Sequence, residues 1–264
     1  MASKNEPGSR LRILQARDQI RGWVKRRGQQ AQELTYRVLK SDKKGAGANG
    51  LLLEGVASAF DQFSESYDDK MSYSNYTAPR LLFDAMQEFL AGIPNRLAIL
   101  DAGCGTGLCS VLFRPLAHRL DGVDVSHGMI EKARQRGLYD HLEELDLISY
   151  LNKSSTTYDL VISAGVLQFF SDVATLFASA NKVLRDDGYF SFTVDKFDAG
   201  DSKYKVSPRS SSMYLHHPDY IRSVATAANF AIVKSREIID RNDMIQNKPI
   251  PGILYVLQKR NRQV

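Results

Sequence analysis

The stretch Ala98–Ser110, AILDAGCGTGLCS, restricts the fold more than any other part of the chain. An apolar run of strand length ends in an acid, Asp101, and then in Gly103, Gly105 and Gly107 at alternate positions. Glycine loses more backbone entropy on folding than any other residue. That density is therefore expected where the chain needs positive φ or where a ligand must approach the backbone closely. A glycine turn leaving a buried strand for a helix is the corner of a parallel α/β sheet. The dinucleotide fingerprint is G-x-G-x-x-G, and a phosphate loop needs G-x-x-x-x-G-K-[ST]. Here the spacing is G-x-G-x-G, no Lys follows Gly107, and residues 101–110 hold one Asp and no basic side chain. A diphosphate would find no counter-charge on this loop.

The texture after residue 97 agrees. LAILDAG, LDGVDVS, YDLVISAG and GYFSFTVD are short apolar runs, and helical patterns over 127–136, 171–184 and 218–227 separate them. Alternating strands and helices with buried strands predict a doubly wound, mostly parallel sheet covered on both faces. FAIVKSREII and GILYVLQKR follow without a helix between them and suit an antiparallel pair at one edge.

Upstream, Ile13, Ala16, Ile20, Trp23 and Val24 recur at helical spacing over about residues 10–27, and Leu34, Val38 and Leu39 suggest a second helix. SDKKGAGANG, residues 41–50, reads as a turn or linker. A helix through about Tyr67 follows. Another starts near Pro79, with Leu82, Met86, Phe89 and Leu90 as its apolar stripe. The expected organisation is a basic helical extension over 1–50, a helical lid segment over 51–96, and a core over 97–264 with an insertion at 196–218.

Charge separates these parts. Residues 1–50 hold 12 Lys/Arg against 4 Asp/Glu, a net of +8, whereas the remainder holds 23 against 26, a net of −3. The basic arm is expected to be a solvated helix face, with protein or nucleic-acid contact as the other reading. No apolar run reaches the roughly 18–20 residues of a membrane span, and the first residues lack a secretory signal pattern. The two cysteines, Cys104 and Cys109, form no disulfide framework. Together these features suit a reducing, cytoplasmic setting.

LDAGCGTG followed by LDGVDVSHGMIEKAR resembles the class I S-adenosylmethionine-dependent methyltransferases, and the later YDLVISAGVLQF and LRDDGYFSF keep the order. The resemblance implies a Rossmann-like, seven-stranded sheet with an antiparallel edge strand. In that likeness Gly103, Cys104, Gly105 and Gly107 lie under the amino-acid tail of S-adenosylmethionine. Asp101 fixes the loop or reaches the ammonium through water. Asp124 accepts from both ribose hydroxyls, and a carboxylate suits a vicinal diol. Val125 and Met129, in D-V-S-x-x-M, lie by the adenine. Asp146 takes its amino group, Leu147 offers its backbone, and Ser163 with Ala164 borders the methyl. FDQFSESYDDKM is similar to the lid of a subgroup often found behind tetratricopeptide repeats, and it places Tyr67 over the cofactor. That subgroup has Arg-Tyr-x-His where this chain has Met213, Tyr214, Leu215 and His216, so only the Tyr and the His match.

Methyl transfer from a sulfonium is an in-line displacement that needs alignment and exclusion of water, with no metal. A general base is required only for an acceptor that must lose a proton. Tyr73 and His216 are the candidates to face the acceptor, with Tyr67, Tyr76 and Gln168 near them. After the fourth strand the chain reads SAGVLQFF and not Asn/Asp-Pro-Pro-aromatic, and no cysteine lies beyond the glycine loop. Both absences disfavour methylation of nucleic-acid bases. The expectation is a small-molecule acceptor methylated on oxygen or nitrogen. The alternatives are a protein or nucleic-acid methyltransferase docked through the basic arm, an aminopropyltransferase, or a non-catalytic cofactor-binding scaffold.

Overall fold

A computed structural model describes residues 48–90, 97–244 and 246–261. The two helical patterns read from residues 10–40 lie outside these. The first described helix, α1 (Ala48–Phe63), begins inside the stretch expected to be a linker. Asn49 and Gly50 fall in its first turn, where amides lack intrahelical partners and weak helix formers cost least. A 3₁₀ turn over Ser64–Ser66 leads into α2 (Tyr67–Tyr73), and α3 (Ala78–Leu90) follows.

The core begins with β1 (Leu97–Ala102), buried at every position. After it come α4 (Ser110–Phe113), β2 (Ala117–Asp124), α5 (His127–Arg136) and β3 (His141–Glu144). Then follow α6 (Leu147–Lys153), β4 (Tyr158–Ser163), α7 (Ala174–Val183) and β5 (Leu184–Asp195). A hairpin, β6 (Tyr204–Ser207) with β7 (Ser210–His216), fills the 196–218 insertion. The chain ends with α8 (Pro218–Ala227), β8 (Phe230–Asn242) and β9 (Pro249–Lys259).

Seven strands form one sheet in the order β3-β2-β1-β4-β5-β9-β8. Neighbours from β3 to β5 are parallel, and β9 runs antiparallel to both β5 and β8. The expected antiparallel pair therefore closes one edge, with the reversed strand one in from the margin. The strand period divides the core between two faces. Ala98, Leu100 and Ala102 of β1, with Ile253, Tyr255 and Leu257 of β9, meet α6, α7 and α8. Leu97 and Ile99, with Leu254 and Val256, meet Leu82 and Met86 of α3 and Phe113 of α4. Strand order reverses between β1 and β4. In open α/β sheets ligands bind at such a switch, outside the carboxyl ends of the strands. Among the described residues no helix is long and apolar enough to cross a membrane.

Candidate active site

Gly103, Gly105 and Gly107 leave β1 with φ of +80°, +54° and +88°, the left-handed region that L side chains rarely adopt. The amides of Gly103 and Cys104 both donate to the Val123 carbonyl at 2.9 Å, which pins the loop against β2. A Cβ on Gly103 would lie 2.4 Å from Val166 Cγ2, so the glycine is needed for packing there. A Cβ on Gly105 would meet nothing within 4 Å. That backbone is open to a ligand.

Asp124 closes β2 beside this loop and is half-buried. Its Oδ2 accepts from the Gly105 amide at 2.9 Å and its Oδ1 from the Ser126 amide at 3.0 Å. A carboxylate has about four acceptor positions, so each oxygen keeps capacity for a further donor. Burial raises the Asp124 pKa, and the backbone donors oppose the rise. Ser126 caps α5, its Oγ accepting from Met129 N at 3.2 Å, and Gly137 ends the helix at φ +66°. Val125 is half-buried beside Asp124. The Met129 side chain is buried, 1% exposed. Asp146 caps α6, with Oδ1 accepting from Ser149 N at 3.0 Å, and Leu147 is buried behind it. Ser163, at the tip of β4, donates to the Ala102 carbonyl at 2.8 Å and ties β4 to β1. The Cys104 thiol is free and buried, and burial pushes its pKa well up.

Asp101 is 1% exposed and accepts from the Tyr139 hydroxyl at 2.6 Å. Burial pushes its pKa up to about 7, against the pull of that hydrogen bond and with some help from Asp124. A carboxyl whose folded pKa exceeds its unfolded one binds more protons in the native state, so stability falls as pH rises between the two values. Asp101→Asn removes this contribution. Its stability advantage over wild type is therefore expected to grow from about pH 4 to about pH 7 and then level off, reaching about 4 kcal/mol at most. Urea unfolding of both proteins across that range measures it, and a difference that does not change with pH would refute the assignment.

The segment expected to form a lid contacts this loop and the start of α5. Asp61 Oδ1 accepts from Ser126 Oγ at 2.6 Å and from the Gly128 amide at 2.9 Å. Asp68 accepts from Thr106 Oγ1 at 2.6 Å and pairs with Arg136. Tyr67 is half-buried, and burial, then the Asp124 charge, push its phenol above the ordinary range. Tyr76 reaches the tip of β4, where a Cβ on Gly165 would lie 2.8 Å from its hydroxyl. Tyr73, at the end of α2, is half-buried. Gln168 Nε2 donates to the Gly165 carbonyl at 2.6 Å.

His216 is fully buried. Its Nε2 lies 2.9 Å from the Phe170 carbonyl, its ring stacks on Tyr220, and its Nδ1 has no protein partner. An Nε2–H donating to that carbonyl leaves Nδ1 unprotonated, and burial lowers the pKa, so the ring is neutral. The contact fastens the β6–β7 hairpin to the loop after β4. The neighbouring His217 caps α8 through Nδ1, which accepts from Asp219 N at 3.2 Å.

The sequence reading missed one cluster entirely. Asp195, at the carboxyl end of β5, accepts from Arg241 Nη2 at 2.8 Å on both oxygens. Arg241 Nη1 also reaches Asp240 at 2.9 and 3.1 Å. Arg209, in the turn between β6 and β7, pairs with Asp195 as well. The available signal was the acid ending GYFSFTVD, in the same place as those ending the first two strands.

A family model described as a methyltransferase domain matches residues 100–192. Human methyltransferase-like protein 27 is 38% identical over 110 residues, covering 41% of this chain and 45% of that protein. A malonyl-[acyl-carrier protein] O-methyltransferase of Geobacter sulfurreducens is 27% identical over 223 residues, 77% of this chain and 79% of the relative. The chain spans about half the length of several other curated relatives that it matches. Among solved structures, Burkholderia thailandensis 1,6-didemethyltoxoflavin-N1-methyltransferase, with bound 1,6-didemethyltoxoflavin and S-adenosylhomocysteine, aligns with a TM-score of 0.59 at 20% identity, over 79% of this chain and 90% of that one. The [4+2]-cyclase SpnF aligns at 0.61 and 17%, over 78% and 95%. These two share the fold, which hosts more than one chemistry.

Proposed function

We propose that residues 100–192, which match a methyltransferase-domain model, form a class I S-adenosylmethionine-dependent methyltransferase, and that the chain methylates an oxygen or nitrogen of a small-molecule acceptor. The observation that carries the reading is the pairing of an open Gly105 backbone with a half-buried Asp124 carboxylate that keeps acceptor capacity. That combination fits a diol-bearing, cationic nucleoside.

When bound, S-adenosylmethionine supplies an electrophilic methyl on a sulfonium. Gly103, Gly105 and Gly107 would carry the backbone under its amino-acid part, and Asp124 would take the ribose diol. Asp101 would fix the loop or reach the ammonium through water, and Asp146 would accept from the adenine amino group. Asp61 and Asp68 hold α1 and α2 against Ser126 and Thr106. Tyr76 and Gln168 border the tip of β4, where the acceptor would be held. The buried neutral His216 positions the hairpin. For an acceptor that must lose a proton, the candidates are Tyr73 and His216, whose Nδ1 is unprotonated and without a protein partner.

The lid pattern F-D-x-F-x-x-x-Y-D supports kinship with the subgroup often found behind tetratricopeptide repeats. Tyr67 meets Phe60 and Phe63 edge to face at 6.3 and 5.8 Å. A cytoplasmic setting, and a macromolecular contact through the basic residues 1–50, belong to the same proposal. Calorimetry with S-adenosylhomocysteine, followed by a metabolite screen for mass gain of one methyl, tests the function. A folded protein with no cofactor affinity at tens of micromolar would sink it.

A further inference from the structure

Resting on the cofactor-binding part of that reading, we propose that Arg136 is a positioning residue: it joins the glycine loop to the lid, and so sets how long the cofactor stays bound. Arg136 is the last residue of α5, which Gly137 ends at φ +66°. A cation is favoured at a helix C-terminus, but this side chain is also turned onto the loop after β1. Its Nε donates to the Thr106 carbonyl at 2.5 Å, and its Nη2 pairs with Asp68 of α2. Asp68 Oδ1 in turn accepts from Thr106 Oγ1 at 2.6 Å. Loop, lid and α5 therefore close a ring in which each bonds the other two. Thr106 is 2% exposed and stands between Gly107 and Gly105, whose backbone is open. A Cβ on Gly107 would lie 3.1 Å from Arg136 Cδ, so the stem of the same side chain packs on the loop.

The ring bears on the cofactor site from both sides. Tyr67 precedes Asp68 and stands within electrostatic reach of Asp124, the carboxylate proposed for the ribose. Holding Asp68 therefore holds Tyr67 beside that site, while holding Thr106 fixes the loop beneath it. A planar guanidinium can present Nε to a carbonyl and Nη2 to a carboxylate at once, in a fixed fork that an ammonium lacks. Lys132, one turn earlier on α5, supplies the contrast. It pairs with Glu65 of the 3₁₀ turn at 2.7 Å, with side chains 26% and 83% exposed. That pair ties the lid to α5 and bypasses the loop, and exposed pairs of this kind contribute little. The Arg136 and Asp68 side chains are 25% and 49% exposed, so salt reaches the ring.

The test is surface plasmon resonance with S-adenosylhomocysteine over the immobilised full chain. Arg136→Gln should speed dissociation about tenfold, the loss of a charge-assisted contact, and change association less. Asp68→Asn should do the same, and the double variant should be no faster than the faster single one, because both break one ring. Arg136→Lys should fall between Arg136→Gln and wild type. Lys132→Gln should stay within about twofold of wild type. Raising salt from about 0.05 M to about 0.5 M should speed dissociation from wild type and leave Arg136→Gln nearly flat, which a purely structural role would not produce. In the unliganded chain, hydrogen exchange should show residues 61–73 and 103–107 opening together in wild type and separately in Arg136→Gln. Unchanged dissociation in Arg136→Gln, additive singles, or an equal effect of Lys132→Gln would overturn the proposal, as would separate opening of the two segments in wild type. Failure of wild type to bind S-adenosylhomocysteine would instead remove the methyltransferase reading, and joint opening would still uphold the join made by Arg136.

Discussion

Asp124→Ala is expected to weaken cofactor binding at least tenfold, about 1.4 kcal/mol or more, with little change in the fold. The loss has two sources. The carboxylate stands at the end of β2 with acceptor capacity left for a vicinal diol. It also holds the Gly105 and Ser126 amides at 2.9 and 3.0 Å, so its removal loosens the loop that carries the cofactor's other end. Asp124→Asn separates the two. An amide oxygen can still accept, but its NH₂ group faces a backbone N–H, so half of the support is lost. Calorimetry with S-adenosylhomocysteine gives the affinities, and urea unfolding gives the stability. Unchanged affinity in Asp124→Ala would show that the ribose lies elsewhere.

Arg241→Met should destabilise the protein by about 3–5 kcal/mol, the usual result of removing one partner from a buried ion cluster. Asp195 and Asp240 are each 2% exposed; Asp195 would keep Arg209, and Asp240 would lose its ion-pair partner among the described residues. Burial already holds the Asp240 pKa above its ordinary value, and the Arg241 charge is the main force against that. Without it the folded pKa climbs further. The deficit is therefore small below the unfolded carboxyl pKa and grows as pH rises, reaching its full size once the folded pKa is passed. Urea midpoints at pH 5 and pH 8 should diverge more for the variant than for wild type. The triple variant Asp195→Asn, Asp240→Asn, Arg241→Met should recover most of the loss and lose the pH dependence. A deficit independent of pH would mean that Arg241 acts through packing alone.

Much of the sheet was legible because buried parallel strands are continuous apolar runs. LAILDA and YDLVIS stand out from any neighbouring segment, and the helices at 127–136 and 218–227 coincide with α5 and α8. Elements at the margins were not legible. HLEE of β3 is an edge strand with no apolar pattern, and the β6–β7 hairpin buries Ser207 and little else of β6. At the site, the glycines and Asp124 announce themselves through spacing, since the backbone demands them. Arg209, Asp195 and Arg241 are far apart in sequence and meet only because the end of β8 runs past the end of β5, Asp195 and Ile238 both lying opposite Gly252. Asp61 and Asp68 were quoted as part of a motif, yet their function as latches on Ser126 and Thr106 needed the folded chain.

The seam between lid and sheet also sets a direction of travel. Thr77 N donates to the Asp240 carbonyl at 2.6 Å and Asn242 N to the Ser74 carbonyl at 2.7 Å, so residues 74–77 are sewn to the same peptides that flank Arg241. This end of the lid works as a fixed hem. Opening from the α1 end would release Asp61 from Ser126 and Gly128 first, and Asp68, nearer the hem, only after it. Those latches are hydrogen bonds at the cleft rim and the Asp68–Arg136 ion pair is partly exposed, so salt weakens them while the hem holds. Ligand exchange is therefore expected to respond to ionic strength, with the seam at residues 74–77 unchanged.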